Sequence, residues 1–526
     1  MEKNKLLLLP FFAGLVLMVY SWWISFPLSI NSVDDVIFNH VPVLYWISLP
    51  LLLASMCMMA LSFKNNYWKW IMAVGCVITL YSLFYFYRTL PTSDADWFRG
   101  LIENFIRTKN LDASQISHSY YQWPSFFILA NIATLVSGLE LTTYEFLLFT
   151  IIGFLLATAL YVYASKAYAH GGFLAVLAFF IVLFYFLNYQ AVPFSLALGL
   201  LFLLFMLETQ KKSSSVIVAI LLLYVSISIT HAFVALFFVL YLLIRSIISR
   251  SKKYLNLFIL TLIFYLLAQF TLAHFSFSRT IILMMTLPTE YSSLISYTIA
   301  PVSVITDVVA QAFSRTVTIG FAMTCLAGFV FIVIRRKMRE IDKAIFLSGA
   351  LYLGIGVVLY TLGSRGLPIV FIPISIGVLY VYQSKFRPYL TCFILILLVL
   401  VVFIPIHTSF ANSPNQLMFQ TKESYTTANF MIEKYPWNLP SIVISDFVVH
   451  GYISGARSPQ IQGYTEIDNA GSSRFLTSNI TTYDCIVYSV GLGISLQRSN
   501  VSMQVILDGF NVIYNSGLSY IAEKSR

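Results

Sequence analysis

Long apolar runs separated by short, mostly basic loops set the pattern of this chain. Stretches of spanning or near-spanning length lie at about 6–30, 41–63, 70–90, 141–165, 171–188, 194–208, 215–231, 232–247, 254–275, 316–334, 344–362, 367–382 and 390–406. A helix needs about 20 apolar residues to cross the hydrocarbon core. The pattern therefore predicts an α-helical polytopic membrane protein with about thirteen transmembrane helices over residues 1–406. From residue 407 hydropathy drops, and Asn, Ser, Thr and Gly become frequent. There the runs Ser441–Ser445 and Cys485–Val490 read as strands, and Thr426–Lys434 reads as a helix. Residues 407–526 are long enough for a small C-terminal α/β domain.

Charge gives the bundle a direction. With Lys3 and Lys5 set in the cytoplasm, strict alternation puts Lys64, Lys69, Lys166, Lys211 and Lys212 on the same side. The clusters Arg245–Lys253 and Arg335–Lys343 fall there too, as do Lys385 and Arg387. The opposite side receives fewer cations before the tail: Arg88, Arg99, Arg107, Lys109, Arg279, Arg315 and Arg365. That asymmetry follows the positive-inside rule. The expectation is a multi-pass plasma-membrane protein with a cytoplasmic N-terminus. Residues 91–140, 276–315 and 407–526 would lie outside. The acceptor-type triplets Asn479-Ile-Thr481 and Asn500-Val-Ser502 fit an outside tail.

Composition agrees with membrane residence. The chain of 526 residues is 59% hydrophobic and 10% charged, with a mean hydropathy of +0.82; a soluble chain carries roughly a quarter charged residues. The net charge of +10 is explained by the cytoplasmic loops, so no nucleic-acid partner is expected. Cys57, Cys76, Cys325 and Cys392 sit in apolar runs and Cys485 is alone in the tail, so no disulfide framework is predicted. The first run is long for a signal peptide and has no clear small-residue cleavage site, so it reads as a retained span.

The chemistry-bearing residues concentrate in the first large outside loop. Asp94 and Asp96 follow a span directly, and a helix-like segment begins after them. Leu101, Ile102, Phe105 and Ile106 form one face of that segment, and Glu103, Asn104 and Arg107 form the other. Such a helix lies along a membrane surface. Two carboxylates at the mouth of a bundle suit a general base or oxygen ligands for a divalent ion. They equally suit helix capping, since Ser93 with Asp96 has the spacing of a capping box and acids favour a helix N-terminus.

The segment from Asp94-Ala-Asp-Trp-Phe through Gly100-Leu-Ile-Glu-Asn-Phe-Ile-Arg-Thr-Lys-Asn-Leu111 resembles the first external loop of GT-C glycosyltransferases. These multispanning enzymes include oligosaccharyltransferase catalytic subunits, protein O-mannosyltransferases and lipid A aminoarabinose transferases. His118-Ser-Tyr-Tyr-Gln-Trp-Pro124 is similar to the aromatic-proline segment that opens their second external helix, most closely in archaeal members. Thr230-His231 and Ser364-Arg365-Gly-Leu-Pro368 also look like those members. One position departs from the pattern: Lys109 stands where a glycine is usual. The resemblance implies a GT-C-like fold and inverting transfer of a sugar from a polyprenyl-phosphate donor. It implies an essential acid at Asp94 or Asp96, and an acceptor that is protein, lipid or glycan.

Transfer to a hydroxyl or amide needs a base, which a carboxylate supplies. A phosphate leaving group calls for cations or a metal. Arg365, between apolar runs on the outer face, is the candidate phosphate-binding residue; snorkelling to headgroups is the alternative. His118 and His231 fall on the same side and suit hydrogen bonds to phosphate or sugar. Tyr121 and Trp123 suit stacking on a sugar, or the aromatic belt of an interface. No cofactor is fixed by the sequence; a divalent metal, Mg or Mn, on Asp94 stays open. Arg279, Arg315, Glu290 and Asp307 read as loop residues that shape a groove. A transporter or flippase of lipid-linked glycans would carry repeated halves and mid-span charges, and neither is evident. A non-catalytic scaffold with a degenerate fold is the third reading. No Walker loop, GxGxxG, HExxH or paired CxxC occurs, so ATP-driven transport, nucleotide-sugar Rossmann chemistry and zinc hydrolysis lack support.

Overall fold

The computed structural model describes residues 2–25, 41–63, 65–82, 93–111, 120–167, 171–186, 192–210, 213–274 and 338–359. In the C-terminal part it describes 422–434, 443–445, 453, 465–466, 485–488, 510–515 and 520–524. The membrane part is helical: α1 (Glu2–Ser25), α2 (Val43–Ser62), α3 (Asn66–Leu80), α4 (Ser93–Thr108), α5 (Ser125–Ser137) and α6 (Leu141–Ala167). It continues with α7 (Gly171–Phe186), α8 (Pro193–Glu208), α9 (Ser214–Ser228), α10 (Ala232–Ser249), α11 (Lys252–Thr271) and α12 (Glu340–Leu359). Five of these hold windows long and apolar enough to cross a membrane: Leu8–Ser25, Val43–Ala60, Thr143–Lys166, Ala232–Ser249 and Lys252–Thr271. Helices α5, α8 and α9 are apolar but shorter. The expected spans at 316–334, 367–382 and 390–406 lie outside the described residues.

Local chemistry explains several helix starts. Asn65 accepts from the Tyr67 N–H at 2.8 Å to open α3, and Ser213 accepts from the Val216 N–H at 3.3 Å to open α9. Pro193 stands at the start of α8, where its missing N–H costs nothing. Small residues let backbones approach: a Cβ on Gly172 would stand 2.2 Å from Ser165 Oγ, so α6 and α7 pack closely there. The core is a continuous apolar cluster running from α2 through α12. Much apolar surface also faces outward, including Leu9, Trp23, Val43 and Leu222. Such a surface is stable against lipid, not water.

Contacts sort the helix ends into two groups. At one end, Tyr161 Oη at the close of α6 donates to Asn66 O at the start of α3 (2.7 Å), and Arg245 of α10 meets Glu340 of α12. This is the basic end. At the other, Arg99 of α4 meets Glu145 at the start of α6, and the Ser125 N–H of α5 donates to Ile229 O between α9 and α10 (3.3 Å).

The C-terminal part contains α13 (Lys422–Lys434) and five strands, β1 (Val443–Ser445), β2 (Thr465–Glu466), β3 (Cys485–Tyr488), β4 (Phe510–Asn515) and β5 (Tyr520–Lys524). They form one mixed sheet of order β2-β1-β3-β5-β4, parallel at β2-β1-β3 and antiparallel at β3-β5-β4. The strand-like runs around Ser441 and Cys485 and the helix-like run at Thr426 coincide with β1, β3 and α13. Both acceptor-type triplets lie outside the described residues.

Candidate functional site

Helix α4 differs from its expectation in where it starts. It begins at Ser93, so Asp94 and Asp96 form part of its first turn instead of preceding it. Its apolar face is as predicted: Leu101 and Ile102 are buried, and Phe105 and Ile106 are partly buried against the core. Asn104, expected on the polar face, is buried. Its Nδ2 donates to Tyr121 Oη at 3.2 Å and its Oδ1 accepts from Arg107 at 3.1 Å, which satisfies the amide away from water.

An aromatic joint fixes α4 to α5. Phe98 packs edge-on against Tyr120 (5.0 Å between centroids) and Phe126 (6.1 Å), and Trp97 meets Tyr120 at 5.3 Å. Tyr121, a candidate for sugar stacking, is 3% exposed. Its ring meets Phe127 edge-on at 5.0 Å, and its hydroxyl donates to Leu101 O at 2.5 Å. In this arrangement Tyr121 ties the joint together and presents no free face to a sugar. Burial, more than its neighbours, pushes the Tyr121 phenol well above its usual range.

The end of α4 accounts for the departure at Lys109. Lys109 has φ 55°, the left-handed region, and its N–H donates to Phe105 O at 2.9 Å. Gly138 performs the same turn after α5 with φ 66° and a 2.9 Å bond to Thr134 O. Glycine takes that conformation without a Cβ penalty. Lysine accepts the strain, and the turn is made all the same.

Beside this joint lies the corner between α9 and α10. The Ser125–Ile229 backbone bond brings Trp123 and His231, each two residues away along its own chain segment, into one neighbourhood. His231 is 4% exposed, with its ring against Phe194 (5.2 Å) and Phe233 (5.9 Å). Its Nδ1, and the Trp123 Nε1, find no hydrogen-bond partner among the described residues. A buried polar atom without a partner is costly.

A buried ion pair was not foreseen. Arg99 Nε and Nη2 approach Glu145 Oε2 at 2.8 and 2.5 Å, with both side chains almost fully enclosed. From the sequence Arg99 reads as one more loop cation. The available signal was Glu145, a carboxylate just past the first turn of an apolar span, which demands a partner. On the outer flank of α4, Glu103 has its carboxyl pushed up by burial, opposed by Arg107 and reinforced by the like charge of Glu433 on α13. His118, Arg365, Arg279, Arg315, Glu290 and Asp307 lie outside the described residues. Among the described residues no three His, Cys, Asp or Glu side chains gather as metal ligands.

Comparison with known proteins gives a remote likeness. No family model and no curated protein matches the chain. Among solved structures, ArnT from Cupriavidus metallidurans bound to undecaprenyl phosphate aligns at a TM-score of 0.36 and 11% identity, over 87% of this chain and 97% of that one. The apo form of the same protein aligns at 0.33 and 10%, over 82% and 93%. A likeness this distant is a general one and decides nothing about the chemistry at α4.

Proposed function

We propose that this chain is a membrane glycosyltransferase of the GT-C type, moving a sugar from a polyprenyl-phosphate donor to an acceptor on the extracytoplasmic face. The observation that carries the reading is the first turn of α4: Asp94 and Asp96 open an amphipathic helix fixed to the bundle end that also holds Trp123 and His231. Asp94, assisted by Asp96, takes the acceptor proton. Arg365 and His118 bind the phosphate of the leaving group, and His231 and Trp123 offer hydrogen bonds to sugar or phosphate. A divalent ion, where used, draws on the hard oxygens of Asp94 and Asp96, a donor type that suits Mg or Mn; it would supply positive charge at the departing phosphate. Residues 407–526 form an extracytoplasmic domain over the site and help hold the acceptor.

The test is incubation of the full chain with labelled polyprenyl-phosphate sugars and a membrane extract, beside Asp94→Asn. Transfer by the parent and its loss in the variant are expected. Equal incorporation by both removes Asp94 as the base. Movement of intact lipid-linked glycan without sugar transfer would make the chain a flippase instead.

A further inference from the structure

Arg99 and Glu145 form a charge pair shut away from water, an arrangement that costs desolvation which apolar side chains in the same place would avoid. What the pair adds is direction, because guanidinium and carboxylate meet in a fixed geometry. Helix α4 packs on α5, and α5 packs on α6. The ring contacts of Phe98 with Phe126 and Phe127 bury area but set rotation weakly. The ion pair joins α4 to α6 itself. Asp94 and Asp96 lie five and three residues before Arg99, within about 8 Å along the axis at a rise of 1.5 Å per residue.

We propose that Arg99 and Glu145 are positioning residues, whose buried pair sets where the acidic first turn of α4 stands against the end of α6. The kinetic consequence rests on the transferase reading; the structural consequence does not. A helix turn shifts when a buried tie on its helix is cut, and a reacting group displaced by about 1 Å loses on the order of a hundredfold in rate.

The experiment uses the full chain in lipid, with its five cysteines replaced and Ala95→Cys added between the two acids. The rate of labelling by a membrane-impermeant maleimide is measured with Glu145→Gln, with Arg99→Lys, and with the exchange of Arg99→Glu and Glu145→Arg. Arg99→Lys keeps the charge and loses only the fork, so it carries the comparison should Glu145→Gln fail to fold. Both single changes are expected to alter the labelling rate several-fold, and the exchange to restore part of it. With a lipid-linked sugar donor, kcat should fall by about tenfold to a hundredfold while donor KM moves less than about twofold. Unchanged labelling in folded variants overturns the proposal, as does altered labelling with unchanged kcat. Should the parent transfer no sugar from any donor, the transferase reading fails, and the labelling rates alone decide the positioning role.

Discussion

At the basic end of the bundle, Asp342 accepts from Tyr163 and is gripped by Arg339 at 2.8 and 2.9 Å, Glu340 meets Arg245 at 2.8 Å, and Tyr241 donates to Glu208 at 3.3 Å. At the end carrying α4, Arg99 and Glu145 are paired as tightly, yet Trp123 Nε1 and His231 Nδ1 are without partners among the described residues. Every carboxylate named at the basic end has its partner inside the fold. There, polar groups knit α6, α8, α10 and α12 together. Among the described residues, buried atoms without a partner occur at both ends: Arg245 Nε at the basic end, and Trp123 Nε1 and His231 Nδ1 at the end that carries the acidic helix turn. Buried polar atoms left unpaired cost roughly 1–3 kcal/mol each.

Paired substitutions at the two ends test that contrast most severely. Asp94→Asn is expected to cut sugar transfer by about 10²- to 10⁴-fold with the thermal midpoint unmoved. Asp342→Asn should do the reverse, losing roughly 1–3 kcal/mol of stability with turnover per folded molecule retained. Matching effects at both ends would erase the distinction. The unpartnered atoms come next. His231→Phe and Trp123→Phe should leave thermal stability equal or raised, because each removes an unsatisfied group, while donor KM rises by about tenfold, the equivalent of one hydrogen bond. A loss of stability in either variant would assign these atoms to packing.

Smaller effects sharpen the picture of α4. Lys109→Gly should stabilise the chain by about 1 kcal/mol by relieving the left-handed residue after the helix, measured by thermal unfolding in lipid or detergent. The Glu103 carboxyl binds its proton more tightly in the folded chain than in the unfolded one. Its ionisation therefore costs stability, and that cost appears as pH rises through the folded value. Glu103→Gln should raise the midpoint modestly at neutral pH, and the gain should vanish in acid below the ordinary glutamate range. A gain that persists there would point to packing instead of charge.

Some of this was legible in the chain and some was not, for definite reasons. The apolar runs forecast α1, α2, α6 and α10 because a span needs only length and hydropathy. The apolar face of α4 was legible for a similar reason: 3.6-residue periodicity is local. Asn104 was misjudged because periodicity assigns a polar residue to the outside, and only the arrival of Tyr121 from seventeen residues downstream gives its amide a buried partner. For Tyr121 the sequence left sugar stacking and an interface belt both open, because it reveals an aromatic ring but not which neighbour covers it. Lys109 was correctly marked as unusual, though only the backbone shows why glycine would suit the place.

By itself the sequence determined that the chain builds apolar helices and that two acids stand where an amphipathic helix opens. These follow from composition and short-range spacing, where each residue's preference counts alone. Tertiary structure decided which polar groups meet. Arg99 finds Glu145 across 46 residues, Tyr163 finds Asp342 across 179, and the Ser125–Ile229 bond brings Trp123 into the neighbourhood of His231. The physical reason is that partnership in a low-dielectric interior depends on packing between distant segments, and hydropathy records only that each residue would need a partner.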